Sequence, residues 1–204
     1  MVKRELHYMS YAVKRRIIFI VAAIILLLLY IFRDTSFLIR ASSAIGSLVL
    51  FYLTDHLFDI RFKQRHYYFM TFIAIAGFLL SPLYVIYPNY DKMLHFVLPL
   101  LMCSIAFFMI SRLKIKLKWQ LAFTFFTAIG VLGIFEIGEF LLDKIFDLKL
   151  QGVFSWSLAS LEKHKLLLDR NDDTMIDLII GVISSGIYWI SMIVINKKHF
   201  FIPS

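Results

Sequence analysis

Apolar residues in this chain come in long unbroken runs rather than in the every-second-position alternation of a half-buried strand. Six runs are long enough to cross a bilayer core of about 30 Å as helices of about 20 residues. They lie near residues 16–32, 36–57, 67–87, 92–110, 119–142 and 175–195. Short polar connections join them, except for a longer segment at 144–172 between the fifth and the sixth. The pattern predicts an all-α fold: an integral membrane bundle of about six transmembrane helices, in a single domain over residues 1–204. Helices are preferred over a transmembrane β-barrel on the same ground, because barrel strands alternate in character over about ten positions. The first run exceeds the roughly 7–15 residues of a secretory-signal core, so it reads as a retained anchor.

Composition agrees with that reading. Hydrophobic residues make up 60% of the chain, aromatics 17%, and the mean hydropathy is +0.79, well beyond the usual soluble mixture. The formal charge of +8, from 22 Lys and Arg against 14 Asp and Glu, points to nucleic acid only if it is averaged over the chain. Placed along the sequence, 14 of the 22 basic residues fall near the N-terminus, in the connections at 61–65 and 112–118, and at Lys197 and Lys198. Short basic connections stay on the cytoplasmic side, so both termini are expected there, in a multi-pass protein of the plasma (inner) membrane. Of the 14 acids, 11 fall on the opposite half, leaving Glu5, Asp55 and Asp59 on the inner one. A basic inner rim suits anionic lipid, and no nucleic-acid partner is expected. Cys103, the single cysteine, sits mid-run and reads as a packing residue. No residue pattern specifies an oligomeric state.

This topology brings three acidic groups to one membrane level. Asp91 and His95 open the fourth run, Glu136, Glu139 and Asp143 close the fifth, and Asp172, Asp173 and Asp177 open the sixth. Within each group the spacing of three or four residues stacks side chains on one helix face. Ionisable groups at membrane depth are costly in lipid, so the three stripes are expected to face one another. Close-set carboxylates cannot all stay ionised unless cations neutralise them. Oxygen-rich ligation with one imidazole suits Mg2+, Mn2+ or Ca2+, and the chain has no thiol-rich zinc motif. The expected metal ligands are Glu136, Glu139, Asp173 and Asp177. His95, Asp91 and Glu136 are the expected acid–base residues, with Asp143, Asn171 and Asp172 in support.

Each group also has a structural explanation. Asp91 follows Pro88 and Asn89 and can cap its helix, while Asp172 and Asp173 can cap the last helix and complement its dipole. Glu136 and Glu139 resist that reading, because they lie in an apolar run at a helix C-terminus, where the dipole opposes negative charge. Asp55 and His56, beside Asp59 and the basic residues Arg61, Lys63 and Arg65, read as an interfacial ion-pair network. Gly130, Gly133 and Gly138, and Gly181 with Ser184, Ser185 and Gly186, are small residues suited to close helix packing. Tyr67, Tyr68, Tyr84, Tyr87 and Tyr90 read as an aromatic belt. The segment 144–172 mixes Val153, Phe154, Trp156, Leu158 and Leu161 with Glu162, Lys163, His164 and Lys165. It reads either as an amphipathic lid over the acids or as an exposed hairpin.

Three stretches in a fixed order carry a family likeness: Tyr90-Asp91-Lys92-Met93-Leu94-His95, then Phe135-Glu136-Ile137-Gly138-Glu139-Phe140 with Asp143, then Asp173-Thr174-Met175-Ile176-Asp177-Leu178 with Gly181. This order, over about residues 80–190, resembles the YjdF-like membrane proteins. More distantly it is similar to the VanZ-like family associated with glycopeptide-antibiotic resistance. VanZ-like proteins tend to carry Glu-x-x-Gln where this chain has Glu136 and Glu139, which favours the YjdF-like side. The resemblance implies a polytopic membrane protein of a bacterium or archaeon and supplies no settled reaction. The function expected from the acids is metal-dependent hydrolysis or group transfer, at the extracytoplasmic face, on a lipid or lipid-linked cell-envelope substrate. The alternatives are a cation or proton transporter, disfavoured by the lack of acids between Trp119 and Phe135, and a noncatalytic envelope accessory protein.

Overall fold

In the computed structural model, which describes residues 10–32, 35–81, 83–146, 150–156 and 164–196, the chain is helical apart from one short hairpin. The basic residues Lys3, Arg4, Lys197 and Lys198, and the loop residues Leu158, Leu161, Glu162 and Lys163, lie outside the described residues. Among the described residues, four stretches are long and apolar enough to cross a membrane: Phe37–Leu57, Tyr90–Ile110, Leu117–Phe146 and Arg170–Ile195. The chain divides into two compact units, residues 1–80 and 81–204.

The first unit contains α1 (Tyr11–Phe32), α2 (Thr35–Leu57) and α3 (Gln64–Ala74), which runs on into a π-helical turn at Ile75–Leu79. Its core is Ile25 from α1, Ala41, Ala44 and Leu48 from α2, and Ala74 from α3. The sequence pattern predicts a single helix over 67–87, but the helix stops at Leu80. There Leu80 N–H donates to Ile75 O at 3.0 Å and the backbone leaves helical geometry. Pro82 accounts for the stop, because its ring disfavours helical backbone at Ser81 and it has no amide hydrogen to donate.

A buried polar knot ties the three helices of this unit together. Lys14 Nζ reaches Asp55 Oδ2 at 2.5 Å, and Tyr67 OH donates to the same oxygen at 2.5 Å. Phe62 N–H donates to Asp55 Oδ1 at 3.0 Å. Lys14, Asp55, Phe62 and Tyr67 are each at most 2% exposed. The expected network around Asp55 is therefore buried rather than interfacial, and its cation comes from α1 rather than from residues 61–65. Arg61 pairs with Asp59 instead, on the surface. Tyr67 is likewise a core residue, whereas Tyr68 and Tyr87 are exposed as a belt requires.

The second unit contains α4 (Leu83–Ile86), α5 (Tyr90–Ile110), α6 (Leu117–Phe146), an antiparallel hairpin of β1 (Val153–Trp156) and β2 (His164–Leu168), and α7 (Arg170–Ile195). The long helices α5, α6 and α7 each pack against the other two. The turn at 111–116 makes α5 and α6 antiparallel, and α7 returns beside them. Hence the N-termini of α5 and α7 and the C-terminus of α6 share one end. Ser184 Oγ donates to Phe96 O at 2.5 Å, one turn before Pro99 in α5, and so locks α7 to α5. A Cβ added at Gly181 would lie 2.1 Å from Leu132 Cδ2, so the α6–α7 approach depends on this glycine. Gly130, Gly133, Gly138 and Gly186 have nothing within 4 Å of such a Cβ, which corrects the expectation that they serve close packing. The segment expected as lid or hairpin forms the hairpin, in the register Val153↔Leu168 and Phe154↔Leu166 with an irregularity between the two.

Candidate functional site

Asp91, His95, Glu136, Glu139, Asp143, Asp173 and Asp177 are all at most 8% exposed, at the shared end of α5, α6 and α7. Each helix contributes through the three- or four-residue spacing that its sequence displays: Asp91 and His95 from the first turns of α5, Asp173 and Asp177 from those of α7, and the other three from the last turns of α6. Burying this many acids requires charge neutralisation and hydrogen bonds, and the structure shows how both are arranged.

The neutralising charge is Lys92, a residue the sequence reading passed over. Its ammonium lies 2.7 and 2.9 Å from the two oxygens of Asp177 and 3.2 Å from Asp91 Oδ2, and it also bonds Asp173. The signal was present in the Asp-Lys-x-x-His string, but a lysine one residue after an acid normally points elsewhere on a helix. Here its flexible stem reaches across to α7.

His95 stands between two carboxylates. Its Nε2 is 3.5 Å from Asp91 Oδ1 and its Nδ1 is 3.6 Å from Glu136 Oε1. Among the described residues, His95 Nδ1 and Glu136 Oε1 are buried without a hydrogen-bond partner. Unsatisfied groups of this kind are rare in folded proteins and mark a place where a proton, a water or a ligand completes the arrangement. Asp91, His95 and Asp177 each offer one donor atom such that the three lie within 4.8 Å of one another, close enough to hold one metal ion. Two carboxylates and an imidazole form a donor set suited to Mg2+ or Mn2+.

Asp143, expected in a supporting role, and Asp173, an expected ligand, are both engaged by backbone amides. Asp143 accepts from Leu150 N–H at 2.7 Å and from Gln151 N–H at 2.9 Å, and Asp173 Oδ2 accepts from Gly152 N–H at 2.8 Å. Gln151 Nε2 adds a bond to Thr174 Oγ1 at 3.0 Å. These contacts tie the strand entry of the hairpin to the ends of α6 and α7. Asp172 and Asn171 are exposed and stand outside the cluster. The cap of α7 is Asp169, which receives the N–H groups of Asn171 and Asp172, rather than Asp172 or Asp173. Glu139 is buried within electrostatic reach of Glu136, Asp91, Asp177 and Asp173. The trio with the tightest convergence is thus Asp91, His95 and Asp177, rather than the expected Glu136, Glu139, Asp173 and Asp177.

Several long apolar helices with a buried acidic cluster at their ends define a polytopic membrane protein. Residues 14–198 match the family described as Predicted membrane protein (DUF2238), which is YjdF-like, and the chain belongs to that family. No curated protein and no solved structure matches it.

Proposed function

We propose that this protein is a membrane enzyme whose buried cluster binds a divalent cation through Asp91, His95 and Asp177. It acts on a lipid or lipid-linked envelope substrate by hydrolysis or group transfer. The observation that carries the reading is the convergence of two carboxylates and an imidazole within 4.8 Å at the ends of α5 and α7. A bound divalent cation supplies Lewis-acid polarisation of a phosphoryl or acyl oxygen. With the cation on Nε2, the nitrogen that faces Asp91, His95 would keep its proton on Nδ1, leaving Glu136 Oε1, 3.6 Å from that nitrogen, as the group that would take a proton from water. The basic connection at 112–118, at the opposite end of α5 and α6, supports an extracytoplasmic position for this end of the bundle. The distant VanZ-like order of motifs supports a cell-envelope substrate.

Mn2+ binding to the purified protein tests the reading. Wild type is expected to bind one ion, and Asp91→Asn and Asp177→Asn to lose it while remaining folded. Stoichiometric Mn2+ in both folded variants overturns the assignment. One observation favours a second reading, a cation or proton carrier: Lys92 pairs with Asp173 and Asp177, and paired ionisable groups within membrane segments mark ion pathways and proton relays. Cation flux into proteoliposomes that is lost in Asp177→Asn decides for the carrier.

A further inference from the structure

The lysine and the proposed cation draw on the same oxygens. Lys92 Nζ engages both oxygens of Asp177 and one of Asp91, and these residues supply two of the three donors in the converging trio. An ion held by that trio and an ammonium at its present position would compete for the same lone pairs. The cluster is also built for more than Lys92 fills, since His95 Nδ1 and Glu136 Oε1 have no hydrogen-bond partner among the described residues although both side chains are 5% exposed.

Lys92 is also suited to leave. Its side chain is 19% exposed, against 4% and 3% for Asp173 and Asp177. It sits in the first turn of α5, where the helix dipole disfavours a cation, so the acids are what hold it inward. A four-carbon stem at a helix end can swing its ammonium to the polar interface at little cost. The acids have no such freedom: Asp173 is bonded to Gly152 N–H, and Asp177 lies more than a turn inside α7.

From this geometry we infer that Lys92 is a tethered occupant of the cation site. It closes the acids against ions while it is bound and withdraws when a divalent cation enters through Asp91, His95 and Asp177. The inference rests on the cation-binding reading above. It adds a selectivity device, because an entering ion must outcompete an ammonium already in place, which two charges do better than one.

Mn2+ titration of the full-length protein in detergent, wild type against Lys92→Gln, is the test. A site that is open only part of the time has its affinity reduced by that fraction, so removing the lysine should tighten Mn2+ binding by about ten-fold or more. Tighter binding in Lys92→Gln, or binding in that variant alone, supports the inference. Equal or weaker binding in folded Lys92→Gln overturns it while leaving the cation site standing, and absence of Mn2+ from both proteins overturns both. A measurement on wild type covers a variant that fails to fold: labelling of Lys92 by an amine-reactive ester, mapped by mass spectrometry, should speed up several-fold with saturating Mn2+. Unchanged Lys92 labelling under saturating Mn2+ overturns the displacement.

Discussion

Removing Asp55 probes the polar knot of the first unit. In Asp55→Ala the Lys14 ammonium stays buried without its carboxylate, beside the faces of Tyr11 and Tyr67, 4.7 and 5.0 Å from the ring centres. Phe62 N–H and Tyr67 OH lose their acceptor as well. Breaking a buried ion pair from one side costs about 3–5 kcal/mol, and Asp55→Ala should fall at the upper end because two further donors are stranded with the ammonium. Lys14→Met should fall at the lower end, since the carboxylate keeps both of those donors. For a chain of this size each kcal/mol lowers the melting temperature by about 2–4 °C, so drops of roughly 6–20 °C are expected. Thermal unfolding in detergent, followed by far-UV circular dichroism across a double-mutant cycle, reads them out. In Lys14→Met/Asp55→Ala no charge is left buried, so the double variant should be destabilised by less than the sum of the singles, with a coupling of about 1–3 kcal/mol. A wild-type midpoint for Asp55→Ala, or strict additivity in the cycle, would refute the reasoning.

Three further outcomes follow from single contacts. Asp143→Ala should free the Leu150 and Gln151 amides from charge-assisted bonds of about 1.5–3 kcal/mol each, and their hydrogen exchange should speed up by about ten-fold or more without a change in global melting. Gly181→Ala should destabilise by about 1–3 kcal/mol because Leu132 must move aside, whereas Gly133→Ala, with open space around it, should be neutral or stabilise by up to about 1 kcal/mol. Equal melting shifts for the two would show that the helix approach at Gly181 is wrong. Ser184→Ala should lose the bond to Phe96 O, worth about 0.6 kcal/mol for hydrogen bonds between membrane helices, and lower the melting midpoint by no more than about 3 °C.

Much of the architecture could be read from local pattern. A run of apolar residues predicts a helix of its own length, and α1, α2, α5, α6 and α7 lie where the runs do. Spacing of three or four residues predicts a shared helix face wherever that helix packs, so Asp91 with His95, Glu136 with Glu139 and Asp143, and Asp173 with Asp177 could be picked out as buried stripes from the chain alone. Pro82 carried a local signal too, and the third run was read through it.

Only the tertiary structure decided which charge meets which, because helix rotation and packing set those pairings across long sequence separations. Lys14 finds Asp55 41 residues away, and Lys92 finds Asp177 85 residues away. The lysine beside Asp91 gained a role only when α7 was packed against α5. Nothing in the sequence showed that the backbone of residues 150–152 would bond both oxygens of Asp143 and one of Asp173. Hydrophobic runs and helical periodicity are properties of neighbouring residues, so the sequence determined the helices and the stripes they carry. A neutralised acid is a property of whatever packs beside it, so the occupant of this cluster was decided by the fold.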